Sequence, residues 1–546
     1  MYNEYQDKYY EQPRIVFTSE PSYWNENDDD YKLRKNLLRD APYDIIPDVP
    51  IDGKFRDAHF NTLASQGRLT DGVRAKVFTY CDPALNRFSR GAGRSIIFDL
   101  GHLSAVDSWS ASMIYELSTL VTLPDEMTVY GSADGIGWKK LCTSTPPEPK
   151  FDNDRVVLTG DFGGRYIIRY FKVYFKIDLH IYFEQFELYG TKDLSGAAEI
   201  VPDEPEIKEE LGFPTPESFY NVHNMALMYH CAWDDNDKRA FMDKDFFRPL
   251  VGYYKDGKLT DTLFDAYLFL PLTRFEFAPE SKNLAGWKQY LYSQFKEECN
   301  LDALNKVTGE TAAALGLDDY KSKVFFSLLC PRYNITDFGD IDGSGSLNFN
   351  SDEDSRKAIK WLVDEHIRLY KEGNYNNTEL CGFYWFQEST APREIALLKY
   401  AGDYVRSLGY SLFWIPYYIA AGFSDWKKLG FDLACMQPNY VFQKDADKER
   451  LYINAEICRK KGMCVEMEVH WDVTPELVKR YLEYLEVGAE VGYMKSVKIY
   501  YEGGSFVAAN KSSDKLQKLI YDYTYKFAKE VLTPEEAAQA IAEITE

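Results

Sequence analysis

No Cys-x-x-Cys pair occurs in the 546 residues, and the nine cysteines are odd in number and irregular in spacing. That excludes a disulfide framework and a cysteine-built zinc site, since both need thiols paired at short, regular intervals. Cys231, Cys330, Cys381, Cys435 and Cys464 lie in apolar strand-like runs, where a free thiol behaves as a small hydrophobe. The seven histidines are scattered, so no metal centre is assigned and no cofactor is expected. Basic runs are missing as well, and the formal net charge is −23. Phosphate-tracking proteins carry a clustered basic excess, so no nucleic-acid partner is expected, and a neutral or cationic partner fits better. No stretch approaches the roughly 20 apolar residues of a membrane span, so no membrane partner is expected either. The first residues, MYNEYQDKYYEQPRIVF, lack the basic start, apolar run and small-residue cleavage site of a secretory leader. On that ground the chain is read as cytoplasmic, unless a leader has been trimmed away. No Gly-x-Ser-x-Gly elbow is present, and no Gly-rich phosphate loop follows the first strand of the C-terminal region, which argues against a serine hydrolase and a dinucleotide fold.

What is present in excess is aromatic. Tyr, Phe and Trp make up 16% of the chain, and apolar residues 45%. That fills cores and leaves rings over for surfaces, and flat aromatic faces suit the apolar faces of sugar rings. A chain of this length exceeds one hydrophobic core and predicts two large domains.

Residues 1–35 are acidic and Tyr-rich without sustained period and read as a flexible tail. Between 36 and 192 short β-like runs alternate with turn residues, as in SIIFDLG (95–101), EMTVYGS (126–132), RYIIRYFKVYFK (165–176) and IYFEQFELYG (181–190). This spacing predicts an all-β sandwich. The series Leu69-Thr70-Asp71-Gly72, Phe98-Asp99-Leu100-Gly101, Val129-Tyr130-Gly131-Ser132-Ala133-Asp134-Gly135 with Trp138, Arg165-Tyr166 and Phe186-Glu187-Leu188-Tyr189-Gly190 resembles a discoidin or galactose-binding-like domain. The resemblance implies a jelly-roll sandwich whose end loops, in many relatives, bind sugars or a structural calcium; it assigns no ligand here. Asp134-Gly135 itself reads as a hairpin turn.

Residues 193–217 combine four prolines with an acidic excess and read as a linker. From 218 to 532 eight strand-like runs recur with amphipathic helical stretches between most of them: 225–230, 263–270, 324–331, 380–388, 411–418, 433–442, 464–470 and 496–503. Eight alternating β and α units predict a (β/α)8 TIM barrel. TPEEAAQAIAEITE (533–546) reads as a capped acidic helix or a tail.

In such a barrel the chemistry sits at the C-terminal strand ends. The seventh run alternates Val465, Met467 and Val469 with Glu466, Glu468 and His470, so its ionisable face is expected to point inward. A structural ion pair with Lys498 is the plainer alternative. Hydrolysis of a glycosidic bond needs two carboxyl groups, one protonating the leaving oxygen and one attacking the anomeric carbon or activating water. Glu388 and Glu468 close the fourth and seventh runs, the places of acid/base and nucleophile in the large retaining glycosidase clan of this fold; Glu466 is the alternative for either role. Trp385, Tyr418, Tyr440, Trp471 and Tyr500 are candidate sugar-stacking rings, and His230, Gln387, Asn439 and His470 candidate hydroxyl-binding groups.

Phe264-Asp265 with Phe269-Leu270, Asp337 to Gly343, Gly382-Phe383-Tyr384-Trp385 with Glu388, Gln437-Pro438-Asn439-Tyr440 and Glu466-Met467-Glu468 also resemble a bacterial family labelled domain of unknown function 4855, often found beside sugar-binding modules. The resemblance implies a glycoside-hydrolase-like barrel and supplies no substrate. Asp340-Ile341-Asp342-Gly343-Ser344-Gly345 imitates the start of a calcium loop but has Ser351 where the twelfth-position Glu belongs. It reads as a loop over the barrel mouth from which Asp340 or Asp342 would reach a substrate. The expectation is a glycoside hydrolase with carbohydrate as its partner. The alternatives are a carbohydrate-binding barrel without activity and a lyase or isomerase using Glu/His proton abstraction. Oligomeric state is left open.

Overall fold

The computed structural model describes residues 15, 17–18, 20–49, 69–203, 211–230, 241–272, 282–501 and 503–545. The chain divides into two compact units, Met1–Glu209 and Glu210–Glu546. Among the described residues no helix is long and apolar enough to cross a membrane.

The first unit is the β-sandwich its residues predict. Its strands are β1 (Lys35–Asn36), β2 (Tyr43–Pro47), β3 (Asn86–Ser89), β4 (Gly93–Tyr115), β5 (Met127–Ser132), β6 (Lys139–Ser144), β7 (Asp154–Lys176), β8 (His180–Thr191) and β9 (Ala198–Glu199), with the order β1-β8-β4-β7-β5-β6 along the main path. β4 and β7 pair antiparallel along most of their 23 residues each, and register shifts at Asp99/Ser104 and Val106/Ser108 bend the pair. Bulges of this kind let one long strand serve both layers of a sandwich. Phe98, Trp109, Phe171, Phe175, Phe183 and Phe186 fill the space between. Gly135, at φ +77°, supplies the positive backbone angle of the β5–β6 turn, and Asp134 accepts the N–H groups of Ile136 and Gly137 at 2.8 and 2.9 Å.

Part of the stretch expected as a flexible tail is held on this unit. Trp24 Nε1 donates to Ser104 Oγ at 2.9 Å, and Lys192 Nζ lies 2.8 and 2.7 Å from Asp28 and Asp30. The acidic run that looked like solvated tail is the partner of a lysine at the end of the sheet. Residues 1–14 lie outside the described residues, as does Cys231.

The second unit is a closed barrel of eight parallel strands: β10 (Asn224–His230), β13 (Ala266–Pro271), β14 (Ser322–Leu328), β15 (Thr378–Trp385), β16 (Ser411–Trp414), β17 (Leu433–Met436), β18 (Cys464–Glu468) and β19 (Lys498–Tyr501). A short hairpin, β11 (Gly252–Lys255) and β12 (Lys258–Thr262), follows the helix Lys244–Val251. Each of the eight strands falls within or overlaps one of the predicted runs. Met225, Leu227, Leu268, Phe325, Phe413, Cys435, Cys464 and Ile499 pack along the axis, and Phe219, just before β10, stacks on Phe325 at 5.5 Å. The helix Pro475–Val491 covers β18, with Thr474 as its cap, Pro475 in its first turn and Gly492 ending it at φ +100°. Pro534–Thr545 is helical too, and Thr533 and Glu536 exchange two bonds of 3.2 Å in a capping box.

Candidate active site

A cavity of about 560 Å³ opens at the C-terminal end of the barrel strands. Glu388, Glu466 and Glu468 all line it, and so do Gln387, Asn439 and Trp471. Six of the twelve sequence candidates are thereby brought together.

Strand parity places the glutamates. β18 is paired so that Glu466 lies opposite Ile499 and Glu468 opposite Tyr501 of β19, on the face turned to the barrel axis, while Val465 and Met467 turn to the helices. In β15 the register shifts opposite Val324/Phe325, so that Leu380 pairs with Val324 and Gly382 with Phe325. After that bulge Tyr384 and Phe386 face the axis, and the chain arrives at the mouth with Glu388 on the cavity side. The backbone leading to Glu388 is pinned: Trp414 Nε1 donates to the Gln387 carbonyl at 2.7 Å and Tyr417 N–H to the Glu388 carbonyl at 3.1 Å.

The three carboxyl groups differ in surroundings. Glu388 is exposed, whereas Glu466 and Glu468 are 1% and 2% exposed. Burial drives Glu466 well above the usual carboxylate range, and the charges of Glu468 and Glu388 add to the shift. Its Oε1 has no hydrogen-bond partner among the described residues. Burial also pushes Glu468 up to about 7, but here bonds from the Tyr484 hydroxyl and the Tyr440 and Asn439 N–H groups favour the anion and pull it back. Tyr440 N–H lies 3.3 Å from Glu468 Oε2, and the Tyr484 hydroxyl donates to the same oxygen. Asn439, at φ +49°, makes the left-handed turn that aims two successive N–H groups at one carboxylate. The result is one buried glutamate whose donors favour its anion and another whose burial no such donor offsets.

Aromatic rings form one side of the cavity. Tyr229 meets Tyr501 at 5.7 Å, Tyr501 meets Phe442 at 5.6 Å, and Phe442 meets Trp471 at 5.5 Å. Trp471 is 60% exposed at the rim. Of these four rings only Trp471 was anticipated.

The other six candidates serve the scaffold. His230 ends β10 on the helix-facing side, stacked on Tyr290 at 5.1 Å with Nδ1 3.0 Å from Ser293 Oγ, and burial pushes its imidazole down to about 3. Trp385 is fully buried with the parity opposite to Tyr384. Tyr418 is buried beneath the Arg450 guanidinium at 4.8 Å. Tyr440 gives its backbone N–H to the site, but its ring is buried and its hydroxyl bonds Glu483 at 2.7 Å. His470 lies behind Trp471, 4.4 Å from its ring, and accepts the Asp472 N–H at 2.9 Å. Tyr500 is buried among Phe264 and Phe506 and bonds Asn224 at 3.0 Å. Lys498 shares that outward parity. Its ammonium donates to the Met494 and Ser496 carbonyls, so the alternative of an ion pair with the glutamates does not hold. Glu502 lies outside the described residues.

Asp340 and Asp342 are exposed and do not line the cavity; Asp340 accepts the N–H groups of Asp342 and Gly343, closing its own loop. Among the described residues no group of three or more His, Cys, Asp or Glu side chains is placed to hold a metal ion.

A family model described as "Domain of unknown function (DUF4855)" matches residues 224–526, from the first residue of β10 to near the end of the barrel unit. No curated protein matches the chain. Among solved structures, it is similar to the Clostridium perfringens protein described as CpGH89CBM32-6, at 15% identity over 29% of this chain and 99% of that one, with a TM-score of 0.18. A second is chitosan-binding module 1 of the chitosanase/glucanase from Paenibacillus sp. IK-5, at 16% identity, 29% and 99% coverage and a TM-score of 0.19. A third is a Ruminococcus gnavus GH29 fucosidase in complex with fucose, at 13% identity over 29% of this chain and 27% of that one, with a TM-score of 0.20.

Proposed function

Because the chain belongs to the DUF4855 family, whose description assigns no activity, its function has to be read from the site, and we propose that the barrel is a glycoside hydrolase. The observation that carries this is the convergence of Glu388 and Glu468, from the ends of β15 and β18, on one cavity walled by aromatic rings. Glycosidic bonds are broken by two carboxyl groups on either side of the anomeric carbon, and sugar rings lie flat against aromatic faces.

Glu468 is the nucleophile or base. Three donors hold its carboxylate in one orientation, and its titration near 7 leaves a working fraction ionised at neutral pH. Glu388, exposed at the mouth, can exchange its proton with solvent and serves as the acid that protonates the leaving oxygen. The roll of Tyr229, Tyr501, Phe442 and Trp471 from the barrel interior to the rim gives the sugar its stacking surface.

Screening the full chain against aryl glycosides and oligosaccharides, with Glu388→Gln and Glu468→Gln beside it, tests the reading. The wild type is expected to cleave at least one member, and each folded variant to lose about a hundredfold or more in rate, the usual worth of a positioned acid, base or nucleophile. Cleavage that survives both substitutions removes the site. Tight sugar binding without cleavage makes the barrel a binding protein.

A further inference from the structure

The cavity holds one carboxyl group more than glycosidic cleavage requires. With Glu388 and Glu468 assigned as above, a reading on which this inference rests, Glu466 is left over. It is 1% exposed, it lines the cavity, and its Oε1 meets no hydrogen-bond donor among the described residues. A buried acceptor without a donor costs free energy, and a ligand that brings the donor recovers it.

The wall says which kind of donor. Among the described lining residues the ionisable side chains are three glutamates and the phenols of Tyr229, Tyr384 and Tyr501, with no Lys, Arg or His. Leu227, Leu270 and Ile415 make much of the remaining surface apolar. Carboxyl groups between apolar walls favour a cation and disfavour an anion more strongly than the same charges would in open solvent. The net charge of −23 acts in the same direction at longer range.

We propose that the barrel takes a glycan built of amino sugars with free, protonated amines, and that Glu466 receives the ammonium group. An ammonium carries three N–H donors, so it satisfies the orphaned Oε1 and supplies the charge the three glutamates lack. A hydroxyl in its place donates one uncharged bond, and an acetamide adds bulk and removes the charge. Glu466 and Glu468 are two residues apart on one strand and on the same face, about 6.6 Å along the chain, which sets their carboxyl groups against a single sugar residue. The aromatic wall suits the same ligand, because an aminosugar ring offers an apolar face to stack and a cation to the ring quadrupole.

Calorimetric titration of the full chain with oligomers of glucosamine and of galactosamine tests this, each beside its N-acetylated and its neutral hexose counterpart of equal linkage and length. The free-amine oligomer is expected to bind about tenfold or more tightly than both counterparts, and Glu466→Gln to abolish the preference. Glu466→Asp, which keeps a carboxyl group, is expected to retain part of it, and a thermal melt of each variant shows that it folds. Cleavage is followed on the same ligands. Amine-selective binding that depends on Glu466 but is never followed by cleavage upholds the ammonium site and counts against the hydrolase. Cleavage of neutral or acetylated sugars with equal affinity, a preference untouched by Glu466→Gln, or no amine-dependent binding in the panel each overturns the ammonium site.

Discussion

Two glutamates two residues apart on β18 have the same burial and different partners, and that difference separates their roles. Glu468 is raised to about 7 by burial but stabilised as an anion by Tyr484 and two N–H groups, whereas Glu466 has the burial without the donors. If Glu468 must be ionised to act, the rate is expected to fall as pH drops through about 7. Tyr484→Phe removes a donor to the carboxylate, so the Glu468 pKa rises and the acid limb of the kcat/KM profile moves to higher pH. A displacement of roughly one pH unit, with loss at pH 6 larger than at pH 8.5, is the expected result. An unmoved limb in a variant of lower activity would show that Tyr484 only supports the fold. His230 shows the opposite lesson at the same scale. A histidine at a strand end looked like a hydroxyl-binding group, yet one pleat of parity turned it into the helix layer, where burial keeps it neutral.

Among the elements, the helix Pro475–Val491 matters most, because it delivers Tyr484 to the back of β18. Its limits are written locally: Thr474 accepts the Leu477 N–H at 3.3 Å, Pro475 opens the first turn, and Gly492 takes the left-handed end. Thr474→Ala is expected to cost about 1 kcal/mol through the lost cap. Gly492→Ala meets open space, with no atom within 4 Å of an added Cβ, so its expected cost of about 1–2 kcal/mol is backbone strain alone. Both are measured as a lower midpoint in thermal unfolding of the full chain. The strands behave differently. β18 advertised its two faces because charged and apolar residues alternate in it. β10 and β19 did not: Met225–His230 is apolar on both faces apart from its end, and Lys498–Tyr501 offers two consecutive tyrosines. Position at a strand end therefore points to Tyr500 and His230, where the register presents Tyr501 and Tyr229.

For the whole molecule, the acidic balance is a property of long range. A charge of −23 accelerates the approach of a cation and leaves a neutral ligand unaffected. Stopped-flow association of a cationic aminosugar oligomer is expected to slow several-fold between about 20 and 200 mM salt, as the screening length shortens from roughly 20 to below 10 Å, while a neutral oligomer shows no such slope. The sequence alone determined the two-part plan and the eight-unit barrel, because both follow from hydrophobic periods and turn residues that act locally. It also determined that Glu466 and Glu468 face inward, because charge alternation in β18 leaves no other stable arrangement. Tertiary structure decided the rest of the site. The parity of β10, β15 and β19 is set by hydrogen-bond register with neighbouring strands, including the bulge near Cys381. The titration of Glu468 depends on a tyrosine sixteen residues away on a covering helix and on a left-handed turn at Asn439, contacts that come together only when the barrel closes.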